Sequence, residues 1–97
     1  MLKKRRFKSE NVVKVTFELP ADTAGSDAYV MGDFNDWRKT HPLKTQRDGS
    51  WRVTIPLEPN REYAFRYLVD GERWVNEPAA DRYERNPYGE DNSVIIT

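Results

Sequence analysis

Tyr63-Ala64-Phe65-Arg66-Tyr67-Leu68-Val69-Asp70-Gly71-Glu72 alternates two sets of side chains and then ends in Asp-Gly. A period of two sends successive side chains to opposite faces of a strand. Tyr63, Phe65, Tyr67 and Val69 therefore share an apolar face, with Ala64, Arg66 and Leu68 on the other. Asp-Gly suits positive φ at a tight turn, so the strand is expected to return as a hairpin through Arg73-Trp74-Val75. Arg66 lies off the apolar stripe, where most arginines are simply solvated.

The same pattern extends outward. Arg47-Asp48-Gly49-Ser50 is a second hairpin signal, followed by Trp51, Val53, Ile55 and Leu57 in alternation. Trp51 is in phase with that apolar set and is expected in the core. Pro56 cannot donate to a ladder, which places it at an edge or a strand end. Upstream, Val13, Val15, Phe17 and Leu19 alternate with Lys14, Thr16 and Glu18 until Pro20 closes the strand. Ala28–Met31 and Leu43–Gln46 suggest two shorter strands. Downstream, residues 76–91 are polar and interrupted by Pro78 and Pro87, an expected ordered loop, and Ser93–Thr97 closes the chain as a β-branched strand. No segment has a helical period. The expectation is all-β, an antiparallel sandwich of two packed sheets.

Between the second and third strands lies Gly32-Asp33-Phe34-Asn35-Asp36-Trp37. Glycine lets the backbone leave a strand freely, and Asn and Asp hydrogen-bond their own backbone to hold a turn. Such a turn would bury Phe34 and direct Trp37 outward. Trp37 then has two readings, a ring that caps the core or a platform for a ligand.

The 97 residues suffice for one domain, with 37% hydrophobic residues and 12% aromatics including three Trp and five Tyr. Sixteen basic and sixteen acidic residues give a formal net charge of zero, which argues against a nucleic-acid binder with a broad positive field. Lys3-Lys4-Arg5-Arg6-Phe7-Lys8 is a local exception. Residues 1–10 are expected to be a flexible basic tail ahead of a domain spanning 11–97. The sharper reading of that run is an arm for nucleic acid, an anionic surface or a partner protein. Cysteine is absent, which removes disulfides and thiolate chemistry and is compatible with the cytoplasmic location expected here. No apolar run approaches the roughly 18 residues of a membrane span, so no membrane association is expected. No secretory signal is expected either, since no apolar stretch follows the basic start.

Tyr29-Val30-Met31-Gly32-Asp33-Phe34-Asn35-Asp36-Trp37, then Asp48-Gly49-Ser50-Trp51, then Tyr67-Leu68-Val69-Asp70-Gly71 with Trp74, resemble the family-48 carbohydrate-binding modules. That family includes the glycogen-binding domain of the AMP-activated protein kinase beta subunit and the early-set domains of isoamylases and glycogen branching enzymes. The likeness runs from about Val12 to Thr97. It implies an immunoglobulin-like early-set sandwich that binds α-1,4-glucans such as glycogen, starch and maltooligosaccharides. It further implies a ligand surface of two tryptophans, a basic residue and an asparagine, which fall here on Trp37, Trp74, Arg66 and Asn92. The sequence departs from the kinase-type pattern twice. One extra residue separates Gly71 from Trp74, and residues 86–91 lack the apolar tip of the kinase-type loop, leaving Tyr88 as the candidate replacement.

The bland readings stand beside these: Trp74 adjoins a hairpin, and Asn92 can simply hold a turn. An enzyme is not expected. His41 is the sole histidine, and there is no cysteine, seryl elbow, phosphate loop or metal-ligand spacing. No cofactor or metal is implied. The expected function is non-catalytic α-glucan binding that targets or regulates a glucan-active enzyme or kinase-like partner. The alternative is a protein-interaction module that keeps the sandwich and has lost the sugar.

Overall fold

The structure is a computed structural model and describes residues 2–97. Among the described residues nine strands form two antiparallel sheets. They are β1 (Leu2–Phe7), β2 (Val12–Leu19), β3 (Ala28–Gly32), β4 (Lys44–Thr45), β5 (Trp51–Leu57), β6 (Glu62–Val69), β7 (Arg73–Val75), β8 (Arg82–Arg85) and β9 (Asp91–Ile96). One sheet runs β1-β2-β5-β4. The other runs β3-β6-β9-β8, with β7 pairing β6 beside β9. One turn of 3-10 helix, Asp33–Asn35, follows β3.

Alternation places the core as expected. Val13, Val15, Phe17 and Leu19 from β2 meet Phe65, Tyr67 and Val69 from β6, with Val30, Ile55, Leu57 and Ile95 around them. The Phe17 ring lies 5.1 Å from Phe65, edge to face, the geometry favoured by aromatic quadrupoles. Phe34 tucks beneath its loop, 5.6 Å from Phe17. Trp51 is half-buried and packs against the same core. Pro56 sits opposite Lys14 of β2, at a level where β4, which reaches only Trp51 and Arg52, no longer covers the other side of β5. Its missing N–H faces an open edge.

Two segments differ from the sequence expectation. Leu2–Phe7 is not a frayed tail but a strand, paired with β2 from Leu2↔Phe17 to Phe7↔Val12. Its inward positions are Leu2, which packs against the core, and Lys4 and Arg6, which are exposed. Lys4 Nζ donates to the Ile96 carbonyl and binds Asp81 at 2.6 Å, while Arg6 donates to the Thr97 carbonyl and to Asn60. Long cationic side chains can cover apolar surface with their stems while their heads find polar partners, so a run of Lys and Arg does not preclude a strand. The other difference is β8, which divides the expected 76–91 loop and hairpins onto β9.

The β3–β6 contact leaves no room for a side chain at Gly32. A Cβ built on Gly32 would lie 2.4 Å from the Ala64 carbonyl oxygen and 2.7 Å from Phe65 Cβ. Gly32 is extended, so backbone conformation does not demand glycine; the neighbouring strand does. Gly32→Ala is expected to push β3 from β6 and destabilise the domain by about 2 kcal/mol, as overpacking does. Thermal unfolding should show a midpoint roughly 10 °C lower.

Candidate functional site

Residues directly opposed across strands share a face. Arg66 on β6 stands opposite Met31 on β3, Leu68 opposite Trp74 on β7, and Glu84 on β8 opposite Asn92 on β9. Ser93 opposes the inward Phe65, so Asn92 falls on the outward face with Arg66. The pleat alone therefore gathers Arg66, Trp74, Asn92 and Glu84 on the outer face of the second sheet.

Trp37 reaches that face from the loop after β3. Asp36 and Trp37 are both left-handed, at φ 54° and 57°, and the Trp37 amide returns to the Gly32 carbonyl at 2.9 Å. A bulky residue in that region carries roughly 1–2 kcal/mol of strain, and such strain persists only where surrounding contacts impose it. Asn35 imposes it from one side, accepting from the Gly32 amide and donating to the Val30 carbonyl and His41 Nδ1. Asp33 acts from the other. Its Oδ1 accepts the Trp37 indole N–H at 3.1 Å while its Oδ2 accepts the Ala64 amide of β6 at 2.9 Å. One carboxylate thus clamps the indole to the sheet.

The opposite wall is the β8–β9 hairpin. Asn86 Oδ1 accepts the amides of Tyr88 and Glu90, each at 3.0 Å, and the Asn86 amide donates to the Glu90 carbonyl at 2.7 Å. Gly89, at φ 83°, completes the turn. Tyr88 at its tip is 88% exposed. Between the walls is a cleft of about 320 Å³ lined by Trp37, Arg66, Asn92, Tyr88, Glu84 and Asn86, with Asp33, Ala64 and Pro87 completing it.

Arg66 forms part of the cleft and keeps only 13% of its side chain exposed. Nη1 donates to Glu90 at 2.8 Å, and the guanidinium carbon lies 4.8 Å from the centre of the Trp74 ring. Its buried Nε has no acceptor among the described residues. Trp74, 43% exposed, does not line the cleft itself but extends the surface beyond Arg66. Asn92 lies within β9 rather than just before it. It is 9% exposed, and its Oδ1 accepts from Asn86 at 3.3 Å. Of the five expected site residues, four share the cleft and Trp74 joins through the arginine.

Sequence reasoning missed Asp33, Glu84 and Asn86. Asp33 was legible only as a turn former, and Glu84 belongs to the unforeseen β8. Among the described residues no group of three His, Asp or Glu side chains could hold a metal ion, and no helix is long and apolar enough to cross a membrane.

The family model for the glycogen recognition site of AMP-activated protein kinase matches residues 13–96. The chain belongs to that family. No curated protein matches the chain. The matched segment contains both walls of the cleft and the β6–β7 hairpin, and leaves β1 outside it.

Trp74 depends on the turn that precedes it. Asp70, itself left-handed, accepts the amides of Ser26 at 2.8 Å and Gly25 at 3.0 Å, a longer contact from Asp27, and the Ser26 hydroxyl. These donors, the Ser26 amide foremost and then Gly25, hold its carboxyl well below the usual carboxylate range. A depressed folded-state pKa contributes stability that is present above the unfolded value of about 4 and is lost as pH falls toward the folded one. Asp70→Asn should therefore unfold at lower urea than wild type at neutral pH. Urea titrations at descending pH should show that gap closing below about pH 4.

Proposed function

We propose that the chain is a non-catalytic α-glucan-binding module whose ligand lies across Trp37, Arg66 and Trp74, with Asn92 and Tyr88 at the cleft wall. The observation that carries this reading is the Asp33 clamp, which holds a strained, half-buried indole at the mouth of a cleft lined by hydrogen-bonding side chains. Family membership supports the ligand class.

The chemistry suits a pyranose. One face of the sugar is a plane of C–H bonds and its rim is a ring of hydroxyls. An indole covers the face, removing apolar area from water at roughly 25 cal/mol per Å². The rim needs forked donors and planar donor–acceptor groups, which Arg66, Asn86 and Asn92 supply. A cleft of about 320 Å³ lies at the small end of the roughly 300–1,000 Å³ typical of small-molecule sites, room for a short stretch of a polymer rather than a coil. Trp74, outside the cleft, offers a second platform for the next part of a curved α-1,4 chain. A few contacts of about 1–2 kcal/mol each, less the ordering of the sugar, place Kd between roughly micromolar and millimolar. Weak sites suit a ligand with many equivalent ends, and the module would then bring a glucan-active enzyme or kinase-like partner to the polymer.

A second reading, a protein-interaction module without sugar affinity, draws on the ion pair between Arg66 and Glu90, which occupies part of the guanidinium fork. Titration with maltoheptaose, followed by amide chemical shifts, separates the two. Wild type should saturate at millimolar sugar, with the largest shifts around Trp37, Arg66 and Trp74. Trp37→Ala should weaken binding about ten-fold or more, and Trp74→Ala by a smaller factor. A flat titration of the folded wild-type protein would abandon the sugar reading for the second.

A further inference from the structure

The first sheet also has an outward face, and its chemistry is different. Register sets Lys3 of β1 opposite Thr16, Arg5 opposite Lys14 and Phe7 opposite Val12, while Thr16 stands opposite Thr54 of β5. Lys3, Arg5, Phe7, Lys14, Thr16 and Thr54 line a shallow recess of about 430 Å³. The Arg5 guanidinium carbon and the Lys14 Nζ lie 5.4 and 4.7 Å from the centre of the Phe7 ring. The Thr16 and Thr54 hydroxyls bond one another at 2.9 Å on the recess floor.

Two features mark this face as unfinished. Arg5 and Lys14 are like charges directly opposed across a strand pair, an arrangement that destabilises a sheet. Among the described residues neither they nor Lys3 are ion-paired, whereas Lys4 and Arg6, at the alternate positions of the same strand, are bonded to the second sheet and the chain end. Glu18, further along this face, is held by Arg52 at 2.7 Å. A cluster of three cations with no carboxylate among them is complementary to an anion. β1, which brings Lys3, Arg5 and Phe7, lies outside the segment that the family model matches, whereas Lys14, Thr16 and Thr54 lie within it.

We propose that this face docks an extended acidic segment of a partner protein. A net charge of zero and a patch of three cations fit local complementarity to a few carboxylates better than the broad positive field that a nucleic acid needs. β1 is the terminal strand of its sheet, so its open edge can pair with an extended segment. Alternate side chains of that segment would then face Lys3 and Arg5, with Lys14 behind them, and a carboxylate between Arg5 and Lys14 would relieve their repulsion. The polymer site lies on the other sheet, so both faces can be occupied together.

The test uses the full chain and a fluorescein-labelled peptide of alternating Glu and Thr, read by anisotropy at low salt. Saturable binding is expected, weakened about ten-fold by Arg5→Gln and more by Arg5→Glu, with maltoheptaose affinity unchanged. Arg47→Glu, an equal charge change on the β4–β5 hairpin, should bind the peptide within about two-fold of wild type. Lys14→Gln should also weaken the peptide while raising the thermal midpoint by a few degrees, because it removes the like-charge pair, so loss of binding is separated from loss of fold. The proposal is overturned by an absence of saturable peptide binding, by equal losses in Arg47→Glu and Arg5→Glu, or by tighter binding of a single-stranded oligonucleotide of the same net charge.

Discussion

The pleat of β6 is the constraint on which the rest of the second sheet depends. This one strand pairs β3 along one side and β9 and then β7 along the other. Its inward residues, Tyr63, Phe65, Tyr67 and Val69, contribute to the aromatic core, and its outward Arg66 forms part of the candidate site. A register slip of a single residue would exchange the two sets, burying a guanidinium and exposing aromatic rings. The contacts that resist such a slip are the ones nearest the site. Gly32 admits the Ala64 carbonyl, Asp33 takes the Ala64 amide, and Asp70 fixes the turn at the strand's far end. The positions that hold β6 in phase are thus also those that position Trp37 and Trp74, so fold and site share their supports.

A second constraint is polar and buried. Glu77 has no exposed surface, and a buried carboxylate is tolerable only when its hydrogen-bonding capacity is met. Here the Tyr67 hydroxyl donates at 2.8 Å and the Ala79 amide at 3.0 Å. The Glu77 amide in turn donates to Ser93 Oγ, which donates to Asn76 Oδ1. Tyr83 closes the set by donating to the Glu77 carbonyl. Burial first, and then the neighbouring carboxylate, pushes the Tyr67 phenol well above its usual range, so it remains a donor at any physiological pH. The network ties an irregular, proline-interrupted segment to the core. That segment leads into β8 and the hairpin bearing Tyr88, so a wall of the cleft is positioned by polar contacts rather than by apolar packing.

What the sequence disclosed follows from how each element is held. β2, β5 and β6 were legible because one face is core and the other is not, which writes a period of two into the chain. The fold class follows from that period and from the Asp-Gly turns, the inward Phe34 from the polar turn around it, and the joint surface of Arg66 and Trp74 only from the family resemblance. β1 and β8 were illegible for the opposite reason. Arg82-Tyr83-Glu84-Arg85 is a sheet edge held by pairing to β9 and by the Arg82–Glu62 ion pair, and it buries too little to impose a pattern. β1 packs only Leu2 against the core and is otherwise held by pairing to β2 and by the polar contacts of Lys4 and Arg6, which a hydropathy reading counts as solvent. The position of Trp37 was half legible. Its loop composition announced a turn, but the left-handed φ and the Asp33 clamp depend on an amide of β6 about thirty residues away, which no local pattern contains.

The two outward faces differ because their supports differ. On the second sheet the outward arginines are already ion-paired: Arg66 with Glu90, and Arg82 with Glu62 and Glu84. What remains available there is aromatic surface and neutral hydrogen-bonding capacity, which suits an uncharged polymer. On the first sheet the charges around Phe7 have no ion pair among the described residues, and the remaining groups are hydroxyls. The core separates the faces, so a ligand on one touches no side chain of the other, and their binding energies should add without mutual strain. A weak contact to a polymer and a weak contact to a protein, joined through one rigid sandwich, raise the local concentration of that protein at the polymer far beyond what either contact achieves alone. If both proposals hold, the basic strand outside the family segment would not be an appendage to a glucan site. It would be the half that decides what the polymer is brought to.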